Sequence, residues 1–457
     1  MFKKIILPVL AFILFAVPSS LYSQNQKMDG YKGIWFSSGE FNEYGYRLSG
    51  GAATFASRHK PIAIYSAKVK KTFFVYGGTT DDEERHLLIM ASYFDHRLHL
   101  VPKPVIVFDK MGVTEPGDNA SLSIDSKGFL WVFVSGSGRT RPGLIFRSSE
   151  PWSIAKFDKI LEWEMLAPQA WWMENYGFLM MFSKIAKGLE LYFASSADGK
   201  TWNSSQKIAS MGGHMQVAGI NNGNLVTVFN YHPGGNLDKR TNLYLIQTKD
   251  MGRTWETIDG TVITTPVIDK GSECLIRDFE TEGRLVYLND LNFDREGNPV
   301  ILAILSRDVN PGPAGGPREW MVIHRKDNKW HFSKVCESTH NYDMGSLYIT
   351  DEEWRIVGPT ESGPQKYGAG GEIALWISTD EGISWSKSRD ITVNSLNNNT
   401  FVRRPQDAQK DFYAFWTDGD ADKFSASRLF FTNAKCKKVW VLPYEMENDM
   451  VKPMRIR

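Results

Sequence analysis

The chain has 457 residues, with 53 Lys plus Arg against 52 Asp plus Glu and a net charge of +1. A balance so close to neutral excludes nucleic-acid or membrane-surface binding driven by bulk charge. The three cysteines, Cys274, Cys336 and Cys436, lie too far apart for a disulfide framework or a C-x-x-C knuckle and read as buried free thiols, while 42% apolar residues suffice for a large core.

Residues 1–23 read as a secretory leader: Lys3 and Lys4, an apolar run over 5–17, then small residues up to Ser23. The run is too short to span a bilayer, and no Cys stands at the junction to carry a lipid anchor. Residues 24–457 are therefore expected to form one exported domain, secreted or periplasmic. From Tyr31 onward the chain is a succession of short β-like runs: PIAIYSA, KTFFVYGG, HLLIMASYF, SLSIDSKGFLWVFVSG, NLVTVFNY, NPVILAILS, EWMVIHR and DFYAFWTD. Turn signals such as DSKG (125–128), NNGN (221–224) and DREGN (294–298) separate them, and NPGPAGGP (310–317) reads as a surface loop.

Three turns share one spacing. SADGKTW (196–202), TKDMGRTW (248–255) and STDEGISW (378–385) are Asp-boxes, each following a strand-like run. In such a turn the Asp carboxylate accepts backbone N–H groups, the Gly takes positive φ, and the Trp packs beneath the hairpin. Hairpins of this kind spread from end to end predict an all-β propeller. A period of about 60 residues gives seven four-stranded blades. Two stacked sandwiches are the alternative.

The stretch DGYKGIWFSSGEFNEYGYRLSGGAATFASRHKPIAIYSAKVKKTFFVYGG (29–78) resembles the opening of secreted propellers with BNR-type repeats. NYHPGGNLDKRTNLYLIQTKDMGRTW (230–255), THNYDMGSLYI (339–349), GPTESGPQKYGAGGEIALWIS (358–378) and DFYAFWTDGD (411–420) resemble the same group. That group includes glycoside hydrolase family 145, which removes α-L-rhamnose from glucuronic acid, and the ulvan lyases of polysaccharide lyase families 24 and 25. The lyase pattern carries a His where this chain has Gly117, another where it has Ser137, and a Tyr in the region of Phe182. A lyase site of the usual kind thus looks dismantled. The hydrolase pattern resembles ASRHKPIA, which implies that His59 is catalytic and lies at the opposite end of the propeller. Relatives tend to read Ala-His-Pro where this chain has Ala408, Gln409 and Lys410.

No carboxylate pair of the usual glycosidase kind stands out. A single-His mechanism works if the glucuronate carboxylate supplies the second group and His59 polarises water or protonates the leaving oxygen. Outside the resemblance, a His between Arg58 and Lys60 is a loop or strand-edge residue. Arg403 and Arg404 are candidates to clamp the uronate carboxylate, and Arg47 is another; inter-blade ion pairs are the plainer reading. His232 and His340 sit in turns that could face the funnel, or hold structural hydrogen bonds. Trp172, beside Trp171, is a candidate sugar platform, as are Trp35 and Trp416, against a default of core packing. In a strand His96 and His99 would point to opposite faces, and no third ligand stands nearby, so no metal is assigned, and no cofactor. The expected function is a secreted exo-α-L-rhamnosidase acting on an acidic polysaccharide of rhamnose and uronic acid, with no nucleic-acid or membrane partner. A lyase acting on rhamnose–uronate linkages, or a non-catalytic glycan-binding propeller, are the alternatives.

Overall fold

The computed structural model describes residues 24–51, 59–80, 86–112 and 115–457. The expected leader, 1–23, and residues 56–58 of the ASRHKPIA stretch lie outside the described residues.

Antiparallel meanders follow one another around an axis, and the innermost strand of each comes first in sequence. Six of them stand as separate blades. Their innermost strands are Ala120–Ile124, Leu166–Met173, Gln216–Asn221, Leu285–Phe293, Ser346–Ile349 and Asn398–Arg403. The expected count of seven separate blades is corrected to six. The remaining meander, Ala63–Ser66, Lys71–Gly78, Leu88–Asp95 and Val105–Asp109, is merged into a seven-stranded sheet with Gly33–Asn42, Gly45–Gly51 and Ser425–Ser427. The merger has a physical cause: Gly33–Asn42 pairs at Gly33 with Gly78, and at Gly33 to Trp35 with Ser427 to Ser425, so the chain's two ends share one sheet. Met450–Val451 pairs with Val101–Pro102 and closes the ring further.

Packing between neighbouring blades explains the strand composition. A strand covered on both faces reads as a continuous apolar run rather than an alternation. Pro299–Ser306 (PVILAILS) and Thr241–Thr248 (TNLYLIQT) are buried at every position.

The Asp-box turns have the expected geometry and join the third and fourth strands of their blades. Asp198 Oδ1 accepts the Lys200 and Thr201 N–H groups at 2.8 Å each, and Asp250 and Asp380 Oδ1 accept those of Thr254 and Ser384 at 2.9 Å. Hydrogen bonds from Ser384, first its hydroxyl and then its N–H, hold the Asp380 carboxyl down at about 2. Gly199, Gly252 and Gly382 take φ of 72°, 83° and 82°. All three cysteines are unpaired; Cys274 and Cys436 are buried and Cys336 half-buried. Burial pushes the Cys436 thiol up to about 12.

Candidate functional site

Because the innermost strands run in one sense, the axis has an upstream mouth, where they begin, and a downstream mouth, where they finish. The residues expected to form one site are divided between them.

His59 lies at the upstream mouth. It is buried, and its Nε2–H donates to the Gly117 carbonyl at 3.3 Å. Gly117 is the position where the lyase pattern carries a histidine, so His59 and the lyase positions share one mouth rather than opposite ends. The reason is local: the segment entering Ala63–Ser66 runs beside the one entering Ala120–Ile124, and Leu122 N–H donates to Pro61 O at 2.8 Å. Ser137 is half-buried there with its hydroxyl on Glu164, 2.9 Å away, and Phe182 is fully buried.

Arg47, His232 and His340 also belong to this upstream side, and none of them lines an open funnel. Arg47 Nε donates to Asn310 Oδ1 at 2.7 Å and its Nη1 lies 3.8 Å from Asp238 Oδ2, so it ties the Gly45–Gly51 strand across two loops. His232 is wholly buried, and its backbone N–H donates to Gly213 O at 2.9 Å. His340 is buried, accepts the Tyr342 N–H at Nδ1 (3.1 Å) and donates from Nε2 to Tyr46 O (3.3 Å). Burial holds its imidazole down at about 4, which leaves it neutral. Trp35 and Trp416 are core residues, their indole N–H groups held by Ser49 and Asn399 at 2.6 and 3.0 Å.

The downstream mouth is a cavity of about 280 Å³ that brings Trp172 and Arg404 together, with Trp171, Asn292, Gln406 and Asp407 in the same lining. Trp172 stands edge-on to Phe178 at 4.8 Å, which fixes its plane, and is half-exposed. Asp407 has a φ of 55°, strained for a residue with a Cβ, and is exposed at the mouth. The protein around it nevertheless raises its carboxyl, with the Arg404 charge pulling the other way.

Between the two mouths the axis is plugged by charge. Lys60 Nζ reaches from the first sheet to Asp290 Oδ1 at 2.5 Å and to Leu291 O at 3.2 Å. Arg404 Nε approaches Asp290 Oδ2 at 3.8 Å, and Leu347 N–H donates to the same oxygen at 2.9 Å. Arg403 is buried in this plug and donates from Nη1 to Asn289 O (3.2 Å) and Gly345 O (3.4 Å). Burial holds Lys60 down to about 8, with Asp290 opposing, and Arg403 down to about 10. For Asp290 burial acts upward, but Lys60 and Arg404 outweigh it and keep the carboxyl below its usual value. Arg403 Nε and Nη2 and both ends of the Asn289 amide have no hydrogen-bond partner among the described residues. Three cations thus face Asp290 in a poorly solvated axis, an arrangement that favours an anion nearby.

The strand Ala120–Ile124 alone carries the chain about 13 Å along the axis. A sugar in contact with Arg404 and Trp172 therefore does not touch His59. Sequence reasoning missed Lys60, Asp290 and Asp407. Lys60 adjoins the singled-out His59, and Asp407 follows the Arg403–Arg404 pair by three residues, but nothing in their own residue types marks them.

Residues 110–338, half of the chain, match the model of the BNR repeat-containing family. The chain belongs to that family. Among solved structures, this BNR-repeat protein is similar to a polysaccharide lyase family 25 ulvan lyase, with a TM-score of 0.72 and 15% identity over 90% of this chain and 96% of that one. The same values hold for the ulvan lyase bound to -[GlcA(1-4)Rha3S]-. The GH93 α-L-arabinofuranosidase of Fusarium graminearum in complex with arabinobiose stands further off, at a TM-score of 0.39 and 13% identity over 67% of this chain and 91% of that one. No curated protein gives a significant match. The ulvan lyase likeness establishes the shared propeller fold.

Proposed function

We propose that this BNR-repeat protein is an exported carbohydrate-active enzyme that hydrolyses rhamnose–uronate linkages, releasing L-rhamnose from α-1,4-linked glucuronate, with substrate seated in the downstream mouth. The observation that carries the reading is the meeting of Arg404 and Trp172 in one cavity. A guanidinium fork fits a carboxylate bidentately, and an indole face packs the apolar side of a sugar ring. The buried cations behind Arg404 add attraction for a uronate. In this reading Asp407 gives its proton to the glycosidic oxygen while water adds to the anomeric carbon of the departing rhamnose and releases a proton. A raised carboxyl keeps a larger protonated fraction for that role. The ulvan lyase bound to a glucuronate–rhamnose oligosaccharide supports the same substrate class here. Hydrolysis is preferred to elimination because Gly117, Ser137 and Phe182 stand where the lyase pattern carries two His and a Tyr.

A second reading places the chemistry at His59, and the likeness of ASRHKPIA to the rhamnosidase pattern favours it. One experiment separates the two. The purified protein is incubated with a rhamnose-capped arabinogalactan and with ulvan, following free rhamnose by chromatography and 4,5-unsaturated uronate by ultraviolet absorbance. Rhamnose release abolished by Asp407→Asn and Arg404→Ala but retained by His59→Ala is expected. Release lost only in His59→Ala moves the site upstream, and absorbance in place of rhamnose makes the protein a lyase.

A further inference from the structure

A second cavity lies on the downstream face, out at the seam between the first and last sheets. It has a volume of about 530 Å³ and is lined by His99, Asp411, Lys438, Trp440, Lys452 and Arg455, among others. Its place on that face follows from strand sense. Asp411 lies between Asn398–Arg403 and Ala414–Gly419, where an innermost strand gives way to the second, and His99 lies in the turn after the third strand of the first meander.

Its floor is a rigid pile of rings. Phe412 stacks on Phe431 at 4.5 Å, and Phe431 stacks on Trp440 at 5.3 Å with only 8° between planes. Trp440 ends the pile half-exposed in the cavity. The rim is cationic: Lys438, Lys452 and Arg455 stand against Asp411. Neither Lys438 nor Lys452 is in an ion pair among the described residues, and Arg455 Nε donates only to the Arg457 carbonyl, at 2.8 Å. In a chain of net charge +1 this is a local excess of charge, not a reflection of bulk composition. A fixed aromatic face ringed by three cations, two of them outside any ion pair among the described residues, is a combination that recognises an anionic sugar.

The seam is also within reach of the axial mouth. Asp407 lines one cavity and Asp411 the other. Four residues of chain span at most about 14 Å. Lys410 is exposed on the ridge between them.

We propose that the seam cavity is a distal subsite for an anionic stretch of polysaccharide, bearing uronate or sulfate groups, whose neighbouring units occupy the axial mouth. The proposal rests on the reading of that mouth as an acidic-glycan site. Trp440 stacks on one ring, and Lys438, Lys452 and Arg455 hold its anionic substituents while Lys410 follows the chain between the cavities.

The test compares wild type, the double variant Lys438→Glu/Lys452→Glu and Arg404→Ala, using ulvan polymer and a rhamnose–glucuronate disaccharide as probes in calorimetric binding. Both lysines are exposed, and equal melting temperatures will confirm that the double variant folds. We expect it to lose tenfold or more in polymer affinity while its disaccharide affinity is unchanged. Polymer affinity equal to wild type overturns the subsite. So does equally tight wild-type binding of desulfated, carboxyl-reduced polymer, which would remove the role of charge. If Arg404→Ala leaves both affinities intact while the double variant loses polymer, the mouth reading fails and the seam stands as a binding site in its own right.

Discussion

Lys60 makes the axial plug testable through pH. In the folded protein its ammonium is held down to about 8, mainly by burial, against an ordinary 10.5. Below pH 8 both the folded and unfolded chains carry the proton, and the cost of burying the charge is fully present. Between 8 and 10.5 the folded chain releases it while the unfolded chain keeps it, so stability must rise with pH across that window. Integrated from pH 8 to pH 10, the gain is about 2 kcal/mol, at 1.36 kcal/mol for each unit of pKa difference. In a chain of this size that corresponds to about 2 °C in melting temperature. Lys60→Met removes the titrating group and keeps the stem, so the difference between wild type and variant isolates this contribution. Buried tyrosines such as Tyr76 and Tyr287, whose phenols burial raises well above the usual range, act on both proteins alike and cancel. Urea denaturation at pH 8, 9 and 10 is the assay. A wild-type-minus-variant difference that stays flat within 0.5 kcal/mol would refute the buried Lys60–Asp290 arrangement.

Other expectations are open to the same methods. Gly382→Ala puts a Cβ 2.6 Å from Trp354 Cζ3 at a φ of 82°, whereas Gly223→Ala has the same φ of 82° and meets nothing within 4 Å. Left-handed strain and overpacking together should cost the first variant about 2–4 kcal/mol in urea denaturation, and the second only the strain, about 1–2 kcal/mol. His214 is wholly buried, with its imidazole held by burial to about 4. Its folded value lies below the unfolded one, so the stability it contributes is lost as pH falls from 6.5 to 4. Replacement by Gln should flatten that loss by about 2 kcal/mol, measured as the difference in unfolding free energy at pH 6.5 and 4.5. Arg404→Lys keeps the charge but loses the planar fork, and should weaken glucuronate-disaccharide binding about tenfold by calorimetry, where a merely electrostatic role predicts no change.

What could be read from the chain before folding was the part written in local periodicity. The Asp-boxes at 198, 250 and 380 declare themselves because every group in the turn comes from within eight residues. The propeller follows from repeating them. The blade count went astray where pairing is least local: Gly33 meets Ser427 almost four hundred residues away, and no local pattern announces that partner. The site belongs to this second kind. Arg404 and Trp172 were each open to an ordinary structural reading, and only the closing of the ring sets one beside the other. Asp290 sits inside LVYLNDLNF, which reads as one more buried strand. Its side chain is singled out by Lys60 from 230 residues upstream.

His59 shows the converse. Its motif is legible, yet the fold buries it against Gly117, at the opposite mouth from Arg404 and Trp172. A residue recognised by pattern and a cavity recognised by geometry make different claims on the same substrate. They can be told apart because the two lie at opposite mouths, with the Lys60–Asp290–Arg404 cluster between them. If substrate reaches both, it must be two different stretches of glycan, and His59→Ala would then alter turnover of polymer while leaving turnover of a disaccharide untouched. Equal loss on both substrates would instead place the chemistry at His59.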